Sequence, residues 1–522
     1  MSLEIAFLTA EAVPLAKVGG LADVAGALPP ELERQGARVR IVMPGYRDID
    51  RSRWGLRPTP LVGDPHVTVG KHREPWRLES ARLPGSGVEI LTIGGRYFDR
   101  PGLYLDPSTG REFEDQLERW VFFCRAALAA LRARGQRLDV LHLNDHHTAL
   151  AAAFVRHPDP DPFFASTATL FSIHNLGYQG LFPAARFPTL GLPAAFMEPL
   201  GPFEFWGRLN LMKAGLVLSD LLGTVSPTYA IEIQESEEHG YGLQGVLRSR
   251  RADLVGILNG IDDRAWDPAV DPQIAAHYGP ETLAGKQECR RALRARFGMP
   301  DDARRPLFGM IGRLVTQKGI DVLLEALPEL LPTGLQLVVL GSGQEEYERA
   351  LLALARRWPD QVAVTLEFDD PLAHAIEAGC DFFLMPSRYE PCGLNQMYSL
   401  RYGTVPIVRR TGGLADTVRE WDPERGEGNG FLFGPSTPQA LAAAVHRALA
   451  TFADPESLRR LRRNGMAEDF SWRRSAREYL EVYREARTRR RAHLAAAHGP
   501  AELGPIDSRP GIGTIREARE RE

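Results

Sequence analysis

Leu307-Phe308-Gly309-Met310-Ile311-Gly312-Arg313-Leu314-Val315-Thr316-Gln317-Lys318-Gly319 reads as a buried strand running into a glycine-bounded loop that carries two cations. A short run of apolar and small residues suits a strand covered on both faces, as in a parallel sheet. Open parallel sheets take their ligands at the carboxyl ends of the strands, and that is where Arg313 and Lys318 stand. Two cations at such a place suit a diphosphate; an ion pair that only holds the loop is the alternative reading.

The same pattern recurs on both sides of this stretch. Leu3–Leu8, Val39–Met43, Val88–Ile93, Val140–Leu143, Thr169–Ile173 and Leu222–Val225 form a first series of short apolar runs. Leu307–Ile311, Leu335–Leu340, Val362–Leu366, Phe382–Met385 and Val405–Val408 form a second. Ala/Leu/Arg stretches of helical period separate the runs, which predicts an α/β protein with one doubly wound sheet per series. The turn-rich stretch from Ile257 to Pro272 suits a connection between them. The expected division is therefore 1–258, 259–482 with a last helix that crosses back, and a mobile tail over 483–522 rich in Arg, Ala, Gly and Pro.

Composition agrees with this division and excludes several classes. A chain of 522 residues is too long for one core of usual size. With 44% hydrophobic and 25% charged residues and a mean hydropathy of -0.23, it has the balance of a globular protein. No apolar run reaches the ~18 residues of a membrane span. The opening Met1-Ser2-Leu3-Glu4 carries an acid where a signal peptide carries positive charge, so a cytoplasmic protein is expected. A net charge of -4 offers no general attraction to nucleic acid. Cys124, Cys289, Cys380 and Cys392 are scattered and suggest neither disulfides nor a zinc site. Of 63 basic residues only Lys17, Lys71, Lys213, Lys286 and Lys318 are lysines. Lys17 and Lys318 lie in glycine-flanked loops, where a compact ammonium is required rather than a planar guanidinium.

Four further clusters carry chemistry. Val18-Gly19-Gly20-Leu21-Ala22-Asp23 is echoed by Thr411-Gly412-Gly413-Leu414-Ala415-Asp416, each a Gly-Gly turn opening a helix whose amides suit a phosphate. Glu390, in Ser387-Arg388-Tyr389-Glu390-Pro391-Cys392-Gly393-Leu394, follows an apolar strand and can accept hydrogen bonds from sugar hydroxyls; a solvated loop acid is the plainer reading. His174-Asn175-Leu176-Gly177 sits at another strand end and suits a sugar site, against a buried, satisfied histidine. In Asn144-Asp145-His146-His147, consecutive residues cannot all face one ion, so a metal is not expected.

Taken in order, these motifs resemble the bacterial glycogen synthases and plant starch synthases, over about residues 3 to 480. The resemblance rests on Lys17-Val-Gly-Gly-Leu-Ala-Asp-Val24, Tyr97 to Tyr104, His174 to Gly180, Lys213-Ala-Gly-Leu216, Asn259-Gly-Ile-Asp262, Gly312 to Gly319, Glu390-Pro-Cys-Gly-Leu394 and Arg410 to Val418. It implies a GT-B fold, two Rossmann-like domains facing across a deep cleft. It further implies transfer of glucose from ADP-glucose to the non-reducing end of an α-1,4-glucan, with retained configuration and no metal or other cofactor. Glu390, His174, Asp145, Arg313 and Lys318 would then be the catalytic set, with Arg313 and Lys318 on the diphosphate. Lys17, Gly19, Gly20, Thr411, Gly412 and Gly413 would add phosphate contacts, and Cys392, Gly393 and Leu394 would shape the glucose pocket. Asn175 and Gln317 join the substrate-binding residues, and Phe368 matches an aromatic that stacks on adenine. The partners implied are ADP-glucose and glycogen, with neither nucleic acid nor membrane. One departure stands out: the family usually reads Asp-Trp-His where this chain has Asp145-His146-His147. The alternatives are a retaining GT-B transferase for UDP-glucose or another donor, and an inactive glucan-binding protein.

Overall fold

The computed structural model describes residues 2–498, apart from positions 62, 159 and 368. The chain forms two compact units. The first comprises residues up to Thr224, Ile233–Ile257 and the chain from Trp472 on; the second comprises Val225–Glu232 and Leu258–Ser471.

In the first unit, β1 (Glu4–Leu8), β2 (Arg38–Pro44), β3 (Glu89–Gly94), β4 (Val140–Asn144), β5 (Ala168–Ile173), β6 (Leu221–Thr224) and β7 (Leu254–Gly256) pair in parallel in the order β7-β6-β5-β4-β1-β2-β3. Two antiparallel strands, Arg77–Arg82 and Arg57–Pro58, extend the β3 edge. β4 and β5 are buried along their whole length, and their sequences are mostly apolar to match, with the buried His142 Nε2 and Ser172 Oγ hydrogen-bonded to each other at 2.7 Å.

In the second unit, β8 (Leu307–Ile311), β9 (Gln336–Leu340), β10 (Val362–Thr365), β11 (Phe382–Met385), β12 (Val405–Arg409) and β13 (Phe431–Phe433) lie in the order β10-β9-β8-β11-β12-β13, all parallel. Helices cover both faces. One helix, Ile320–Leu330, buries Ile320, Leu323, Leu327 and Leu330. Those positions recur every three or four residues and so form one face of the helix. Each such side chain contributes ~1.5–3 kcal/mol when fully buried. The order of each sheet reverses once, between β1 and β4 in the first and between β8 and β11 in the second. Loops leaving such strands diverge to opposite faces and open a crevice at the switch point, which is where each unit can hold a ligand.

The carboxyl-terminal region departs from the expectation of a mobile tail beginning at 483. One helix runs from Trp472 to His498. Tyr483 is buried and hydrogen-bonded to His142 Nδ1 at 2.8 Å. Arg487 pairs with Asp139 at 3.2 Å, Arg489 pairs with Asp253, and Arg490 donates to the Ala165 carbonyl at 2.7 Å. Arg487, Arg489 and Arg490 therefore bind the helix to the rest of the first unit, while Arg491 is exposed. Residues from 499 on, including the Gly/Pro-rich part of that tail, lie outside the described residues.

Candidate active site

In the second unit, the loops after β8 and β11 meet at the switch point. Lys318 Nζ donates to Glu390 Oε2 at 2.6 Å, and Ser387 Oγ donates to the same oxygen at 3.0 Å. Glu390 is only 6% exposed, so it is not a solvated loop acid. Its Oε1 accepts no hydrogen bond among the described residues. Arg313 is exposed and lies 3.3 Å from Gln317 Oε1. Gln317 in turn donates to the Tyr389 carbonyl at 3.3 Å and accepts from the Arg388 amide through its own carbonyl at 2.8 Å. Asn395, at the start of the helix Asn395–Arg401, donates to the Ile311 carbonyl at 2.9 Å and ties the two loops again. Gly319 has φ +69°, and a Cβ there would stand 2.0 Å from the Pro386 carbonyl oxygen. Only glycine lets these backbones approach so closely.

Cys392, Gly393 and Leu394 carry the chain from Glu390 into that helix. Cys392 is buried, which pushes its thiol up to about 12 and keeps it unreactive. The Thr411–Gly413 turn packs behind Glu390, and the Gly412 and Gly413 amides have partners within the unit. Gly412 N donates to the Glu232 carboxylate at 3.1 Å, and Gly413 N to the Glu390 carbonyl at 3.1 Å. Phe368 lies outside the described residues.

In the first unit, the Gly19–Gly20 turn opens the helix Gly20–Arg34. Here too a carboxylate of the protein occupies the turn: Glu11 Oε2 accepts from the amides of Val18 and Gly19, the latter at 3.0 Å. Tyr104 OH donates to Glu11 Oε1 at 3.1 Å. Burial holds the Glu11 carboxyl above its ordinary range despite those donors. Lys17 pairs with Asp23 at 2.7 Å on the surface. At the end of β4, Asp145 adopts φ +55° and accepts from the His174 amide at 2.8 Å. Asn144 donates to the Leu8 carbonyl through its amide nitrogen, so its Oδ1 accepts from His174 Nε2 at 2.8 Å. Burial lowers His174 to about 4, so the imidazole is neutral and Nδ1 keeps its lone pair. Asn175 caps its own turn, accepting from Gly177 N at 3.0 Å.

His146, in the departing position, is half-buried. Its ring lies 3.8 Å from that of His147, which stacks on Tyr104 at 5.0 Å, and its Nδ1 is 3.0 Å from the Tyr178 carbonyl. Among the described residues no three His, Cys, Asp or Glu side chains form a group that could hold a metal. No helix there is long and apolar enough to cross a membrane.

Burial raises the Asp145 carboxyl from 3.8 to about 7, ahead of the opposing pull of the His174 and Asn175 amides. The folded state then holds a proton that the unfolded chain has released, so stability falls as pH rises from about 4 to about 7. An asparagine side chain in its place would carry no such cost, and asparagine tolerates positive φ. The expected result is that the melting temperature of Asp145→Asn, relative to the natural protein, climbs by roughly 5 °C or more across that window and then levels off. Thermal melts from pH 4 to 8 check it; a constant or narrowing difference would contradict it.

Residues 4–249 match the profile of the starch synthase catalytic domain, and residues 294–467 that of the glycosyl transferases group 1. The chain is 46% identical over 495 residues to glycogen synthase 1 of Methylococcus capsulatus, covering 93% of this chain and 97% of that one. It is 48% identical to the glycogen synthase of Anaeromyxobacter dehalogenans, over 92% of this chain and 99% of that one. The catalytic domain of starch synthase IV from Arabidopsis thaliana, solved with ADP and acarbose, superposes with a TM-score of 0.85 at 33% identity, covering 94% of this chain and all of that one. The chain belongs to the glycogen synthase and starch synthase family. Its fold is therefore GT-B, and it is a hexosyltransferase.

Against what this family implied for the sequence, the structure joins Lys318 to Glu390, and His174 to Asp145 through its backbone amide. It places Gly19, Gly412 and Gly413 in bonds to the protein itself. Four groups were not marked from sequence as parts of the site: Glu11, Tyr104, Asn395 and Glu232. A signal existed for Glu11, an acid three residues past the end of β1. Glu232 and Asn395 gave none, since their partners lie far along the chain.

Proposed function

We propose that this chain transfers glucose from ADP-glucose to the non-reducing end of an α-1,4-glucan with retained configuration, releasing ADP. The observation that carries the reading is the contact between Lys318 and Glu390 at the switch point of the second unit, with Arg313 on the adjoining loop. Breaking the bond between the anomeric carbon and the phosphate leaves negative charge on the departing diphosphate and positive charge on the sugar. Fixed cations near the departing oxygen stabilise the first, and a carboxylate near the sugar stabilises the second. Arg313 and Lys318 supply the cations and Glu390 the carboxylate, while its Oε1 accepts from a glucose hydroxyl. In the first unit Asp145 and His174 serve the sugar. With the leaving group's charge met by these side chains, the transfer needs no metal. The choice of ADP-glucose is supported by the ADP in the starch synthase structure.

The test is release of ADP from ADP-glucose beside release of UDP from UDP-glucose, with and without glycogen, in a chelator. Glycogen-dependent ADP release in chelator is expected. Release from UDP-glucose alone would overturn the donor assignment, loss in chelator would overturn the metal-free reading, and release from neither donor would leave a glucan-binding protein.

A further inference from the structure

We infer that Val225–Glu232 is a splint for the Glu390 loop, and that Glu232 and Ser226 are positioning residues for the transfer reaction. The segment is a short excursion of the chain, leaving the first unit after Thr224 and returning to it at Ile233. Ser226-Pro227 starts the helix Pro227–Glu235 in the manner of an N-cap followed by proline at the first helical position. Ser226 Oγ accepts from Tyr229 N at 3.2 Å and donates to the Pro391 carbonyl at 2.7 Å. Thr228 donates through its amide and hydroxyl to the Asp416 carboxylate at 2.9 and 2.8 Å. Glu232 accepts from Thr411 Oγ1 and Gly412 N at 3.0 to 3.2 Å.

These contacts converge on one loop. Ser226 holds Pro391 directly, and Glu232 holds the Thr411–Gly412 turn. That turn lies so close that a Cβ on Gly412 would stand 1.9 Å from the Glu390 carbonyl oxygen, and one on Gly413 2.1 Å from that of Cys392. Pressing the turn against residues 390–392 fixes the backbone from which the Glu390 side chain projects. Glu232 is half-buried, so its carboxylate interacts with the Gly412 amide and the Thr411 hydroxyl in a partly desolvated place where such bonds are strong. None of the three side chains is hydrogen-bonded to Lys318 or to the Glu390 carboxylate, so their effect on the reaction runs through the loop.

The inference rests on the proposed role of Glu390, and the experiment separates the two. In the full chain, Glu232→Ala should lower kcat for glycogen-dependent ADP release by ~10-fold or more, since a loop shift of about 1 Å can cost ~10²-fold. KM for ADP-glucose should move less than about threefold, because Glu232 does not touch the donor. Glu232→Gln should recover part of the rate, since an amide oxygen still accepts from Thr411 or Gly412. A second readout needs no activity: Cys392, buried against the same turn, should become reactive to a thiol reagent in Glu232→Ala and silent again in Glu232→Ala with Cys392→Ser. Ser226→Ala, which removes one hydrogen bond to the loop, should show both effects more weakly and serves if Glu232→Ala does not fold. Unchanged kcat, or a fall in kcat without Cys392 labelling, would overturn the inference. If the natural protein released no ADP, the reading of Glu390 would fall, while unchanged labelling of Cys392 would still overturn the splint.

Discussion

Lys318→Ala is expected to lower kcat for glycogen-dependent ADP release by ~10²- to 10³-fold, the usual loss when one preorganised charge at a developing anion is removed. Its ammonium has 21% of its side chain exposed and sits 2.6 Å from Glu390 Oε2, so it is partly desolvated and directly paired. Removal leaves the buried Glu390 carboxylate with Ser387 as its only remaining partner on that oxygen among the described residues. On the proposed reading two losses then combine: the cation at the leaving group, and the orientation of the carboxylate that faces the sugar. Lys318→Arg is expected to recover little, since a planar fork cannot replace a compact ammonium in a loop closed by Gly319. Steady-state kinetics on purified variants check this; a rate within threefold of the natural protein for either variant would contradict it.

Gly412→Ala is expected to cost as much in rate, for a backbone reason. Gly412 has φ +44°, where an L-residue pays roughly 1–2 kcal/mol. A Cβ there would also stand 1.9 Å from the Glu390 carbonyl oxygen, so the turn or the Glu390 backbone must move. A displacement of about 1 Å at a reacting centre can cost ~10²-fold in rate, and a loss of that order is expected in kcat. Gly245→Ala is the control: nothing lies within 4 Å of its Cβ position, and it sits in the helix Gln244–Ser249. There alanine should be neutral or stabilising by about 0.5–1 kcal/mol. Melting temperatures and kcat measured side by side would show it; equal behaviour of the two variants would contradict the close packing at Gly412.

Much of the fold was legible because the parallel strands are buried on both faces and their sequences carry that burial directly. Leu307–Ile311 and Phe382–Met385 are read from sequence with the ends they have in the structure. Phe431–Phe433 escaped notice because three apolar residues after Gly430 are too short to separate from a turn. Arg77–Arg82 escaped because its residues are mostly polar and only the two-residue strand Arg57–Pro58 lies beyond it in the sheet. The arginine-rich end of the last helix read as solvated because arginines look alike in sequence whether they face water or, like Arg487 and Arg489, a partner acid such as Asp139 or Asp253. At the site, Lys318 and Glu390 were legible because each follows a strand, and strand ends are where such sheets bind. The group that holds the Thr411–Gly413 turn was not, because Glu232 acts by filling a backbone amide far along the chain, a role that leaves no spacing pattern.

The transfer itself is tested by incubating the enzyme with ADP-glucose labelled with carbon-13 in its glucose and a maltooligosaccharide, in chelator, and examining the product by NMR. The expected product is a chain longer by one labelled glucose, joined α-1,4 at the non-reducing end. Labelled free glucose, a β linkage, or label at the reducing end would contradict it.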